Sequence, residues 1–134
     1  MPVEGMRAED RIGRLAHEVP VCLLTDSVVD VRQRALDAGG CAVVNDHEIV
    51  LGWLSREALQ KDAGSGVEEA MEPGPSTFRP SVPLEEMRDY MRPRKMKRAL
   101  VTSSDGRLIG TVELSEIENA IEQSQTGSQK RRYV

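Results

Sequence analysis

Residues 51–59 read LGWLSREAL, and residues 108–117 read LIGTVELSEI. Each stretch carries a short apolar run, a glycine, another apolar pair and then a polar turn into a helix. A chain that says the same thing twice must fold as two like units, and this limits its fold more than any other feature. The offset can be followed outside the pair. Pro20 corresponds to Pro75, Val31 to Met87 and Gly52 to Gly110, so the offset drifts from 55 to 58 residues. The drift falls in a helix and the loop after it, where insertions are tolerated. VVNDHEIVLG and VTSSDGRLIG have equal length and superpose without a gap.

Periodicity assigns the same elements to both halves. VPVCLL, 19–24, alternates as a strand and closes in the turn formers Thr25, Asp26 and Ser27. Ser27 is an expected N-cap for a helix with Val28, Val31, Ala35 and Leu36 on one face. Gly39 and Gly40 end that helix. CAVV and IVLGWL make a hairpin, and Ser55 caps a helix through Leu59. In the second half STF, 76–78, is the short strand, and Ser81 is an expected cap. Leu84, Met87 and Met91 form the helical stripe that Pro93 stops. ALVT and RLIGTV pair around Asp105-Gly106. The last helix, from about Glu113 to Glu122, carries Leu114, Ile117 and Ile121. The fold class is therefore α+β, two β-α-β-β-α repeats packed sheet to sheet with pseudo-two-fold symmetry. The expected boundaries are 8–60 and 67–124, with 125–134 a disordered tail. A half of this size buries only about 60% of its unfolded surface alone, so the two halves act as one body.

Composition sets outer bounds. Of 134 residues, 39% are hydrophobic but only 3% aromatic, so the core is built from aliphatic side chains and Met. A net charge of −4 argues against general binding of nucleic acid or other polyanions. No apolar run is long enough for a membrane helix, and MPVEGMRAED lacks the apolar region of a signal peptide. Cys22 and Cys41 lie in apolar runs and read as buried thiols of a reducing compartment. A cytoplasmic protein is expected.

VEEAMEPGPSTFRPSVPLEEMRDYM followed by ALVTSSDGRLIGTV resembles the CBS domain, the repeat that pairs in tandem into a Bateman module. The first half, VPVCLLTDSVVDVRQRALDAGGCAVVNDHEIVLGWLSREAL, resembles it more loosely. The likeness covers about residues 8–124. It implies a regulatory sensor rather than an enzyme, with AMP, ATP or S-adenosylmethionine held in clefts between the repeats. It also implies Gly-x-h-Thr/Ser-x-x-Asp at the last strand and helix start, the hydroxyl facing phosphate and the Asp facing ribose.

Both halves depart from that pattern. The first keeps Ser55 and adds Arg56, but Ala58 stands at the Asp position. The second has Glu113 at the hydroxyl position and Glu116 at the Asp position. A carboxylate beside a phosphate is repulsive unless a cation intervenes. The expected ligand set is thus Ser55 and Arg56 toward phosphate, Glu116 toward ribose, and strand residues Thr77, Val101 and Thr102 beside the base. The competing reading is that Ser55 only caps a helix and the two glutamates only load a helix N-terminus. The output then separates two functions, a ligand-sensing module and a ligand-free scaffold for dimerisation and interaction. With no effector domain in the sequence, either function acts on a separate effector protein.

Three other features carry expectations. RDYMRPRKMKR, 88–98, holds six basic residues and reads as a solvated helix end more readily than as a phosphate patch. Trp53 reads as core or interface packing. The stripes Val28, Val31, Ala35 and Leu114, Ile117, Ile121 are the expected contact of a homodimer. His17 and His47 stand in different elements, and neither catalysis nor a metal site is expected. No cofactor is required.

Overall fold

The computed structural model describes residues 11–61 and 64–132. Ser27 opens the first long helix as expected. Its backbone is extended, and its Oγ accepts the Asp30 N–H at 3.4 Å. The first half runs α1 (Ile12–Leu15), β1 (Val21–Cys22), α2 (Val28–Ala35), β2 (Gly40–Val44), β3 (Val50–Ser55) and α3 (Arg56–Lys61). Next come α4 (Val67–Ala70) and β4 (Glu72–Pro73). The second half follows as β5 (Thr77–Phe78), α5 (Leu84–Met91), β6 (Arg98–Thr102), β7 (Leu108–Glu113) and α6 (Leu114–Arg132).

Three elements differ from the sequence reading. Ser81 does not cap α5. The N-cap is Pro83, at the place Ser27 holds in the first half, with φ −63° and no side-chain bond. β4 lies in a segment that reads as a Pro-rich bend; its residues pair antiparallel with β3, Gly52 opposite Pro73 and Trp53 opposite Glu72. Finally, helical backbone continues through Arg132, beyond the expected end near Glu122 and into the segment read as a disordered tail.

The duplication is exact in register. β1 and β5 each pair parallel with the first strand of their hairpin. Each hairpin places a valine opposite its glycine, Val43 with Gly52 and Val101 with Gly110. Each carries an irregularity at the next step, between Val43 and Val44 and between Val101 and Thr102. The sheets are four-stranded, β1-β2-β3-β4, and three-stranded, β5-β6-β7.

Each repeat buries its core with help from the other's flank. Cys22, Val31, Ala35, Val43, Leu54 and Leu59 are closed by Val67, which comes from α4. Met87, Met91, Val101, Val112 and Ile117 are closed by Ile12, which comes from α1. Ile12 and Val67 are both fully buried. Burial of such a side chain contributes about 1.5–3 kcal/mol. A third cluster joins the two sheets: Ala42, Val44 and Leu100, with Val19, Val50, Trp53 and Leu108 around them. At the hairpin tips the Val50 N–H donates to Gly106 O at 3.0 Å, and the Leu108 N–H to Glu48 O at 2.9 Å. These two bonds exchange under the pseudo-two-fold axis.

The helical stripes are spent in this packing. Val28, Val31, Ala35 and Ile117 are fully buried and Ile121 nearly so, each inside its own repeat. They do not supply a dimer contact, because an amphipathic helix here turns its apolar face to its own sheet.

Candidate functional site

The glycine in each copy has a backbone reason. A Cβ at Gly110 would stand 2.5 Å from the His17 carbonyl oxygen, and one at Gly52 would stand 2.9 Å from that of Glu72. Another strand crosses at each point. His17 exchanges two backbone bonds of 2.9 Å with Thr111, and Glu72 lies opposite Trp53. Only glycine lets the crossing chain come so close.

The polar residues after each glycine divide a capping box between the copies. Ser55 Oγ accepts the Ala58 N–H at 3.1 Å, which caps α3. Glu116 Oε1 accepts the Glu113 N–H at 2.8 Å, which caps α6 from the other side. Glu116 also meets His17 Nε2 at 3.1 Å, with both side chains well exposed. Arg56 donates to Leu36 O at 3.3 Å. Thr77 Oγ1 accepts from Arg79 Nη2 at 3.0 Å. Val101 lies in the second core. Thr102 is fully buried, and its Oγ1 has no partner among the described residues.

A cleft of about 800 Å³ opens between the repeats. Gly39, Trp53 and Glu72 line it from the first half. Leu100, Met96, Lys97, Arg98, Glu113 and Ser115 stand among its residues from the second. Arg98 dominates its electrostatics. Its Nη2 donates to Glu113 Oε2 at 3.1 Å and to Ala38 O at 3.0 Å, so it ties the halves together. Its guanidinium lies 5.2 Å from the centroid of the Trp53 ring, within reach of a cation–π contact. Gly39 has φ +83°, and a Cβ there would stand 3.1 Å from Arg98 Nη2. Gly40 leaves room for the Trp53 indole in the same way. The cation that a carboxylate at position 113 requires is therefore present.

Residues 67–123 match the CBS domain family. No curated protein matches the chain by sequence. Among solved structures, CBSX2 in complex with AMP is 24% identical, covering 86% of this chain and 98% of that one, with a TM-score of 0.75. The CBS-pair protein CBSX2 from Arabidopsis thaliana is 22% identical over 87% of this chain and 96% of that one, with a TM-score of 0.73. The whole chain therefore has the fold of a tandem CBS pair. The chain is also similar to the cytosolic domain of the Mg2+ channel MgtE in complex with ATP. There the identity is 23% over 83% of this chain and 48% of that one, with a TM-score of 0.73.

The two symmetry-related ends of the paired repeats are unlike. Arg98 stands opposite Glu113 in its hairpin, and Gly40 stands opposite Ser55 at the equivalent place. Trp53 is matched by Thr111. The cleft beside Trp53 includes none of Ser55, Arg56, Glu116, Thr77, Val101 and Thr102, although Ser76, Leu100 and Ser115 are chain neighbours of three of them. Sequence reasoning missed Arg98, which stands in a basic run that reads as a helix end. Its partner carboxylate and the aromatic ring beneath it come together only in three dimensions. The signal available was Trp53 at a position where the repeat expects an aliphatic residue.

Proposed function

We propose that this CBS pair is a regulatory, non-catalytic module that takes an adenosine-containing ligand into the cleft beside Trp53 and passes its state to a partner protein. The carrying observation is the cleft itself, about 800 Å³ between the repeats. It lies in a fold whose solved examples include one in complex with AMP and one in complex with ATP. The chemistry of the lining supports the reading. Trp53, Leu100 and Met96 offer apolar faces to a purine, Ser76 and Ser115 offer hydroxyls, and Lys97 and Arg98 offer positive charge. Thr77, Val101 and Glu116 extend this set by one residue each along the chain. Ser55 and Arg56 belong to the symmetry-related end.

A thermal-shift series with AMP, ADP, ATP, adenosine, S-adenosylmethionine and GTP tests the proposal. A ligand at about 100 times its Kd stabilises by about 2.7 kcal/mol, a midpoint rise of about 8–12 °C for a domain of this size. A second reading, a ligand-free scaffold, is favoured by one observation: Ser55 and Glu116 already serve as helix caps. No shift with any adenosine compound at millimolar concentration selects it. In either reading we propose a homodimer. Light scattering then gives twice the chain mass of 14.8 kDa.

A further inference from the structure

Arg98 begins β6 of the second repeat, yet its head group rests on the first. It spans Ala38 O, the Trp53 ring and Glu113. The side chain is 21% exposed, and its Nε is buried with no hydrogen-bond partner among the described residues. A guanidinium presents five N–H donors in a rigid fork that suits bidentate oxyanions. Here Nη2 serves both acceptors while Nε serves none. A buried donor without an acceptor is an unfinished site. Glu113 contributes one oxygen to it and remains 42% exposed, free to turn to water. Lys97 stands beside it in the cleft, and the Glu118 carboxylate is held by Arg92 at 2.7 Å. A phosphate brings three acceptor oxygens and close to two negative charges, which fits the fork better than one carboxylate oxygen does.

Resting on the reading of this cleft as an adenosine site, we propose that Arg98 sets the class of ligand. Glu113 is an internal stand-in for the ligand's anion, and Arg98 exchanges it for a phosphate. The cleft therefore takes adenosine phosphates in preference to adenosine or the cationic S-adenosylmethionine. The same exchange moves the guanidinium relative to Trp53, the sole tryptophan of the chain.

Tryptophan fluorescence titrations of the full chain with AMP, adenosine and S-adenosylmethionine test this. AMP is expected to bind at least about tenfold more tightly than the other two. Glu113→Gln removes the competitor and is expected to tighten AMP about three- to tenfold while moving adenosine by less than about twofold. Arg98→Lys keeps the charge without the fork and is expected to weaken AMP at least about fivefold, again sparing adenosine. Adenosine or S-adenosylmethionine binding as tightly as AMP overturns the inference and leaves the cleft an adenosine site. An AMP-to-adenosine ratio unchanged in Arg98→Lys does the same. Binding of none of the three, by the natural chain or by Glu113→Gln, overturns the inference and the cleft's function together.

Discussion

Glu48 and Gly106 occupy the same place in the two hairpin turns, and each carbonyl accepts a backbone bond from the strand that follows the other. Both residues have positive φ, 66° for Glu48 and 90° for Gly106. The turn geometry is thus shared, but only one copy has the residue that adopts it without steric cost.

Glycine substitution at the two turns has opposite signs. The left-handed conformation costs a residue with a Cβ about 1–2 kcal/mol, offset in part by glycine's freer unfolded chain. Glu48→Gly is expected to stabilise the fold by about 0.5–1 kcal/mol, and Gly106→Ala to destabilise it by about 1 kcal/mol. Urea unfolding of both variants checks the contrast.

The strand glycines respond differently from the linker glycine. A Cβ at Gly110 meets the His17 backbone, whereas one at Gly64 meets nothing within 4 Å. Gly110→Ala is expected to cost about 2–3 kcal/mol, because the crossing chain must shift. Gly64→Ala is expected to stay within about 0.5 kcal/mol of the natural chain. Equal effects in denaturant titrations would refute the crossing-strand account.

Strand and helix order was legible in the residues because apolar periodicity and turn formers repeat at a near-constant offset. Ser27, Ser55 and Gly106 announce their caps and turn in the sequence alone. β4 was hidden because its pairing partner lies in the previous hairpin, and Glu72-Pro73 has no strand pattern of its own. The site was less legible. Ser55 and Glu116 carry the residue types of a ligand motif, yet those types also cap helices, and spacing cannot separate the two uses. Arg98 became a site residue only through Trp53, Ala38 and Glu113, which come from three other elements or turns.

Ser55→Ala tests the capping role directly. Loss of an N-cap hydroxyl is expected to cost about 1 kcal/mol in a chemical unfolding experiment. Unchanged stability would free Ser55 for the ligand role.

Asp105 gives the fold a small acid-sensitive contribution. The Ser103 hydroxyl bonds its carboxylate and holds its pKa below the ordinary value, although the group is fully exposed. A depressed folded pKa adds stability above the unfolded pKa, and that stability is lost as pH falls through the folded value. Asp105→Asn is therefore expected to lose less stability than the natural chain between about pH 5 and about pH 2. Urea midpoints across that range measure the difference.

The exchanged flanks make each repeat depend on the other's leader. Ile12→Ala is expected to cost about 2–4 kcal/mol although Ile12 belongs to the leading helix of the first half, because it empties a place in the core of the second. Calorimetry should show one transition, lowered as a whole; an unfolding step confined to the first repeat would contradict the exchange.

That exchange is an internal domain swap. Each half lends its leading helix to the other's core and borrows one in return, as domain-swapped pairs do between separate chains. Cutting this chain between its halves would therefore leave two open cores rather than two finished folds, each lacking the residue that the other carries, Val67 for the first and Ile12 for the second.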